Sequence, residues 1–338
     1  MLFFCKNSDI YFLFQNPLQY SHQIVETGGN KMKYNKKFYQ TNGFRLFLLI
    51  FPLLILVFCF SYLPLYGWIY ALFDYKPGIP LFKNKFVGFD NFTRIVSDSY
   101  YLKDVIRVLK NTLGMNFLGM LTSPLPMIFA ILLSELNCTP FKKLSQTLTT
   151  IPHFISWVLV YSVAYAMFSV NDGLINHLLV GFGILDEGVN FLASSKHIWI
   201  KMWLWGQWKG LGWSAIVYIA AISGIDQEQY EAAEVDGANR FQKMRYVTVP
   251  ALLPTFFVLL ILSIGNMISN GMDQYFVFQN AMNKESIEVL DLYVYNQGMV
   301  GINYSYSTAV SILKSVVSVT LLFFSNQFSK MVRGESVF

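Results

Sequence analysis

The chain has 338 residues, of which 54% are hydrophobic and 13% charged, whereas a water-soluble domain carries about a quarter charged residues. So little charge excludes an ordinary soluble surface. The formal net charge of +5 is spread over connecting segments, which excludes a nucleic-acid-binding block and leaves membrane orientation as its reading.

In chain order, residues 1–43 read as a cytoplasmic N-terminal extension. Its apolar runs, such as Tyr11 to Phe14, are too short for a signal peptide or a span, and Met32 offers an alternative start. Lys31, Lys33, Lys36, Lys37 and Arg45 precede the first long apolar run, Leu46 to Phe73, and predict an inside N-terminus. Phe89 to Lys110 mixes Phe92, Ile95, Val105, Ile106 and Leu109 with charge, the pattern of an amphipathic surface helix. Further apolar runs follow at Asn111 to Ser134, Leu144 to Asn171 and Tyr246 to Met272. Two more carry charges: Trp199 to Ile222 contains Lys201 and Lys209, and Ile302 to Ser329 contains Lys314.

Each run exceeds the roughly 20 residues needed to cross a bilayer core as helix. The expected fold is an all-α membrane protein with six transmembrane helices over residues 44–330 and a cytoplasmic tail at 331–338. The alternating ten-residue segments of a barrel do not occur. An even number of spans returns the C-terminus to the cytoplasm, with Lys142, Lys143, Arg240, Lys243, Arg245, Lys330 and Arg333. The outer loops also hold Lys76, Lys83, Lys85, Arg94, Lys103, Arg107, Lys110, Lys196 and Lys284, so the charge bias is slight by count. Cys5, Cys59 and Cys138 imply no disulfide framework.

The segment between the fourth and fifth runs, residues 224–250, carries the most specific signal. Asp226 is a good N-cap with Gln229 placed to complete a capping box, so a short helix is expected from Gln227. Gly237 can take a left-handed conformation and end it, after which Asn239 can cap a second helix. Pro250 and Pro254 are expected to mark a turn into span five. Ala233 and Gly237 share one helical face, and with Ala232 they form a smooth patch edged by Glu231, Glu234 and Asp236. An amphipathic loop helix and a docking knob both fit this pattern.

Glu231-Ala232-Ala233, Gly237 and Val247-Thr248-Val249-Pro250 together resemble the EAA motif of binding-protein-dependent ABC importer permeases. Asp236 fits the carbohydrate-transporting branch. Pro152 to Trp157, Gly173 to Asn176, Trp208 to Trp213, Leu262 to Asn266 and Glu288 to Asp291 look like the lipo-oligosaccharide and polysaccharide permease subgroup. The resemblance implies that this helix pair couples to an ATPase subunit through Glu231, Ala232, Ala233, Asp236, Gly237 and Pro250. It also implies a second, homologous permease subunit, an ATPase dimer that holds ATP and Mg, an extracellular solute-binding lipoprotein and an oligosaccharide cargo. The setting would be a bacterial plasma membrane. No glycine-rich phosphate loop ending in Gly-Lys-Ser/Thr occurs in the sequence, so no cofactor and no catalytic residue is expected on this chain.

Charged and polar groups inside apolar helices are candidates for a substrate pathway. Lys314 can pair with Asp273 or face a wet cavity. Asn266, Asn270, Asp273 and Tyr275 offer the mixture of amide, carboxylate and aromatic ring that a sugar needs, and interhelical glue is the competing reading. Trp205 and Trp208 fit either a stacking platform or an interfacial belt. A permease of the same architecture for another solute, or a membrane-embedded transferase, is the alternative function.

Overall fold

A computed structural model describes residues 42–333. The expectations for residues 1–41, including the alternative start at Met32 and the basic cluster Lys31 to Lys37, lie outside the described residues, as does most of the tail. The protein divides into two compact units, one ending at Leu63 and one beginning at Pro64.

In the first unit, helix α1 (Asn42–Val57) is followed by a π turn, Phe58–Tyr62. Its Leu, Ile and Phe side chains from Leu46 to Phe58 are exposed, as expected of a helix whose surroundings are lipid.

The second unit opens, from Pro64, within a 3-10 run, Leu63–Leu72. Strands β1 (Phe73–Asp74) and β2 (Lys85–Phe86) then pair antiparallel. Helices α2 (Asp90–Ser97), α3 (Ser99–Leu121), α4 (Leu125–Ser134) and α5 (Thr139–Thr150) follow. The chain continues through α6 (Trp157–Phe168), α7 (Leu174–Gly181), α8 (Ile198–Ser223), α9 (Gln227–Val235), α10 (Arg240–Lys243) and α11 (Val249–Gly265). It ends with α12 (Asp273–Phe278), α13 (Lys284–Ile287), α14 (Leu290–Tyr295) and the long α15 (Tyr304–Arg333). Helix α8 lies against α4 and α5, and α11 against α15.

Four described segments are long and apolar enough to cross a membrane: Leu46–Leu72, Ser99–Ser134, Arg240–Gly265 and Tyr304–Met331. Two bent pairs qualify only if each counts as one span. One pair corrects the expectation of a straight helix over Leu144 to Asn171, because Thr139–Phe154 and Trp157–Phe168 meet at 107°. Pro152 has no N–H to continue the ladder, and Ile155 and Ser156 are extended. The Ser156 hydroxyl accepts from the N–H of Leu159 and starts α6 afresh. The amphipathic segment expected over Phe89 to Lys110 is also interrupted. Asp98 is extended and caps α3 through the N–H of Tyr100, 2.9 Å away, so the second half of that segment is the opening of a helix that runs on to Leu121.

Candidate functional site

The stretch from Asp226 to Thr248 forms two helical arms meeting at a corner. Helix α9 starts at Gln227 because the Asp226 carboxylate accepts from the N–H of Glu228 at 3.1 Å. The reciprocal box expected with Gln229 is not formed there. It occurs instead at the second arm, where Asn239 and Gln242 exchange bonds of 2.9 and 2.7 Å. Gly237 has φ of 77°. The N–H groups of Gly237 and Ala238 return to the carbonyls of Glu234 (3.0 Å) and Ala233 (2.9 Å), a complete Schellman closure.

Two side-chain bonds tie the arms together. The Tyr230 hydroxyl lies 2.9 Å from that of buried Thr248, and Lys243 is ion-paired with Glu234. The Lys243 ammonium holds the Glu234 carboxyl below its ordinary range. Glu231, Ala232, Asp236 and Gly237 are exposed on the corner and Ala233 is half-buried. Val235 is 89% exposed and Phe241 66%, so an apolar tip protrudes beside the carboxylates.

The turn expected at Pro250 is absent. Helix α10, a π turn over Met244–Thr248 and α11 form one continuous run, Arg240–Gly265. Pro250 follows that π turn by two residues, and the local π adjustment accommodates its missing N–H so that the run continues through it. The corner therefore feeds directly into a membrane helix.

Beyond the other end of α11, the carboxylate of Asp291 organises a polar network. Its Oδ2 accepts the N–H groups of Asn270 at 3.0 Å and Gly271 at 2.9 Å, and Oδ1 is bonded to the ammonium of Lys314. The Asn270 side chain donates to the Tyr275 hydroxyl at 3.2 Å and accepts from Asn116 at 2.6 Å. Lys314 is thus paired, but with Asp291; the pairing with Asp273 is corrected. Asp273 is exposed in the first turn of α12, where a carboxylate is favoured by the helix dipole. Asn266 is also exposed and bonds back to the carbonyl of Leu262 at 3.0 Å. The structure thus joins Asn270, Tyr275 and Lys314 in one network and leaves Asn266 and Asp273 outside it.

Trp205 packs on the core that contains buried Tyr275 and Phe278, and Trp208 meets it edge-on at 5.8 Å. The neighbouring Lys209 donates to the carbonyls of Pro152 (3.3 Å) and His153 (2.6 Å) and lies 5.4 Å over the ring of Trp157. It thereby satisfies carbonyls freed at the break between Thr139–Phe154 and Trp157–Phe168.

A cavity of about 420 Å³ opens between α8, α11 and the α3–α4 junction, lined by Thr122, Gln207, Trp213, Ser214, Tyr218 and Phe256 among others. Trp213 is stacked on His153, with ring centroids 4.5 Å apart and planes at 2°. The Thr122 hydroxyl accepts from Trp203 at 2.9 Å. Sequence reasoning missed Thr122, Gln207 and Ser214. The amide of Gln207 within an apolar helix was the available signal.

The family model described as "binding-protein-dependent transport system inner membrane component" matches residues 124–334. Protein LplB of Bacillus subtilis (strain 168) is 38% identical over 294 residues, covering 87% of this chain and 91% of the relative. The polygalacturonan/rhamnogalacturonan transport system permease protein YteP of the same organism is 37% identical, covering 87% of this chain and 90% of the relative. The crystal structure of a bacterial ABC transporter involved in the import of the acidic polysaccharide alginate contains a similar chain. The match has a TM-score of 0.75 and 30% identity and covers 86% of this chain and 96% of that one. A long apolar helical chain with this corner and this likeness is a multi-pass membrane protein, and it belongs to the family of binding-protein-dependent transport system inner membrane components.

Proposed function

We propose that this chain is a permease subunit of an ATP-driven importer, and that it translocates an oligosaccharide delivered by an extracellular solute-binding protein. On this reading it crosses the plasma membrane six times with both termini in the cytoplasm. It stands beside a second, homologous permease and above a dimer of ATPase subunits that hold ATP and Mg.

The observation that carries this reading is the braced corner continuous with α11. A docking element transmits motion only if it is stiff and joined without slack to what it moves. The Schellman closure at Gly237, the Tyr230–Thr248 bond and the Glu234–Lys243 pair stiffen the two arms. The unbroken run Arg240–Gly265 supplies the joint. Closure of the ATPase pair on the corner then tilts α11 and, through their packing, α15, opening the pathway to alternate sides.

The names of the relatives support carbohydrate as the cargo, and so does the cavity beside α8 and α11. Indole and phenol rings offer faces for sugar rings, while Gln207 and Ser214 offer groups for hydroxyls. The test is substrate-stimulated ATP hydrolysis and uptake by the complete complex in proteoliposomes, with the binding protein and a panel of oligosaccharides. Stimulation by a glycan is the expected result. Response only to a non-sugar solute would discard the carbohydrate assignment and keep the architecture.

A further inference from the structure

We infer that a second cavity, lined by Tyr161, Tyr165, Phe168, Asn171, Asn190 and Asn280, is a contact site for a neutral glycosyl unit. The inference rests on the importer reading above and adds a site and a charge preference to it. The cavity measures about 320 Å³, at the small end of the range for ligand pockets, and lies at the end of α6 remote from the helix break.

Two rings of its aromatic wall, Tyr161 and Phe168, are held by neighbouring rings, and Tyr165 stands exposed beside Tyr161. Tyr161 and Tyr165 are one helical turn apart with ring centroids 6.5 Å apart. Tyr161 is held edge-on by Phe278 at 5.1 Å. Phe168 is flanked by Phe191 at 5.8 Å and Trp205 at 6.2 Å. Rings held in this way stack on the apolar face of a sugar without an ordering cost at the moment of binding.

The amides nearby fall into two groups. Asn176, Asn283 and the lining Asn280 are spent on the fold, Asn280 by donating to the carbonyl of Leu192 (3.4 Å) and accepting the N–H groups of Met282 (2.9 Å) and Asn283 (3.1 Å). Asn176 donates to the carbonyls of Ser169 (2.8 Å) and Val189 (3.0 Å), and Asn283 to that of Phe278 (3.1 Å). Asn171 has no side-chain partner among the described residues, and Asn190 uses only its oxygen, toward the N–H of Ala193 at 2.9 Å. The hydroxyls of Tyr161 and Tyr165 are likewise unpartnered among the described residues. Unspent amides and phenols around this aromatic wall match a polyhydroxylated ring. The lining holds no Asp, Glu, Lys, Arg or His. A uronate carboxylate or a phosphate would call for Arg or Lys, so the site suits an uncharged unit. The ring contacts from Phe168 through Trp205 to Trp208 lead along α8 toward Gln207 and the larger cavity.

The test uses the complete complex with its binding protein in nanodiscs and proteoliposomes, with a neutral oligosaccharide and a uronate oligosaccharide of equal length as probes. The variants are Y165A, Y165F and N171A/N190A. Expected is a rise of about tenfold in the half-saturating concentration of the neutral glycan for Y165A and N171A/N190A, with a smaller rise for Y165F. N171A alone removes no bond of the fold and serves where Y165A fails to assemble. Unchanged saturation in every assembled variant of a glycan-importing complex, or an equal loss for the uronate, would overturn this site alone. A wild-type complex that imports neither probe would overturn the carbohydrate reading and this inference with it.

Discussion

Lys314, inside the last helix, is ion-paired with Asp291, whose second oxygen also accepts the backbone N–H groups of Asn270 and Gly271. One carboxylate therefore joins α15, α14 and the segment that follows α11. Both side chains are less than one-fifth exposed, so removing either partner strands the other in a poorly solvated place. D291A is expected to cost about 3 kcal/mol because three donors lose their acceptor, and K314A less because the two backbone bonds remain. Adding K314A to D291A should cost little further. D273A should stay within about 0.5 kcal/mol, since Asp273 is exposed. Thermal inactivation midpoints of the solubilised complex give the order, and a D273A loss equal to that of D291A would contradict the pairing.

Gly237 separates backbone strain from partner contact. Its φ of 77° penalises any Cβ, yet nothing among the described residues lies within 4 Å of where one would stand. Within the chain, G237A and G237L should each cost about 1–2 kcal/mol, with G237N cheaper because asparagine tolerates this conformation. Any further loss in G237L must come from a second protein. Copurification of the ATPase is expected to survive in G237N, weaken in G237A and fail in G237L. Full association of G237L would contradict docking at this corner.

The features legible in the sequence are those set by local chemistry. Asp226 before Gln227, Gly237 at the corner and Asn239 at the second arm each act within a few residues of chain, so the caps could be placed directly. The apolar runs were legible for the same reason, because length and composition decide them. What escaped depended on distant groups. Asp273 and Asp291 are equally plausible partners for Lys314 in the sequence, and only the fold brings Asp291, 23 residues away, to its ammonium. The break at Ile155 is hidden inside an apolar run, because prolines occur in membrane helices that continue past them. Pro250 misled in the opposite sense, since a π turn just before it lets the helical run continue through the proline without a break.

Lys209 holds together the two helical segments Thr139–Phe154 and Trp157–Phe168 at their break. Its ammonium satisfies two carbonyls at the end of the segment Thr139–Phe154 and sits over Trp157, the first residue of the next helix. Charged hydrogen bonds contribute about 1.5–3 kcal/mol each, so K209M is expected to lower stability by about 3 kcal/mol and K209R to retain part of it. Limited proteolysis in proteoliposomes should show new cleavage near His153 to Ser156 in K209M alone. Protection identical to the wild type would mean that the break is held by other contacts.

Two glycines three and five residues beyond Gln207 should behave in opposite ways. Helix α8 passes so close to α5 that a Cβ on Gly212 would stand 2.2 Å from the carbonyl oxygen of Thr149 and 2.4 Å from its carbon. Those are backbone atoms and cannot rotate aside, so G212A must push the two helices apart, at a cost of about 1–3 kcal/mol. Gly210, on the same helix, has nothing among the described residues within 4 Å of its Cβ position. G210A therefore gains helix propensity and should be neutral or stabilising by up to about 1 kcal/mol. The displacement in G212A also bears on Lys209, whose carbonyl partners immediately follow α5. G212A combined with K209M should then cost less than the sum of the separate changes, as expected of residues sharing one contact. Midpoints measured side by side for both alanine variants, K209M and the G212A/K209M pair decide the matter; equal effects of G210A and G212A would mean that α5 does not pack on α8 at Thr149.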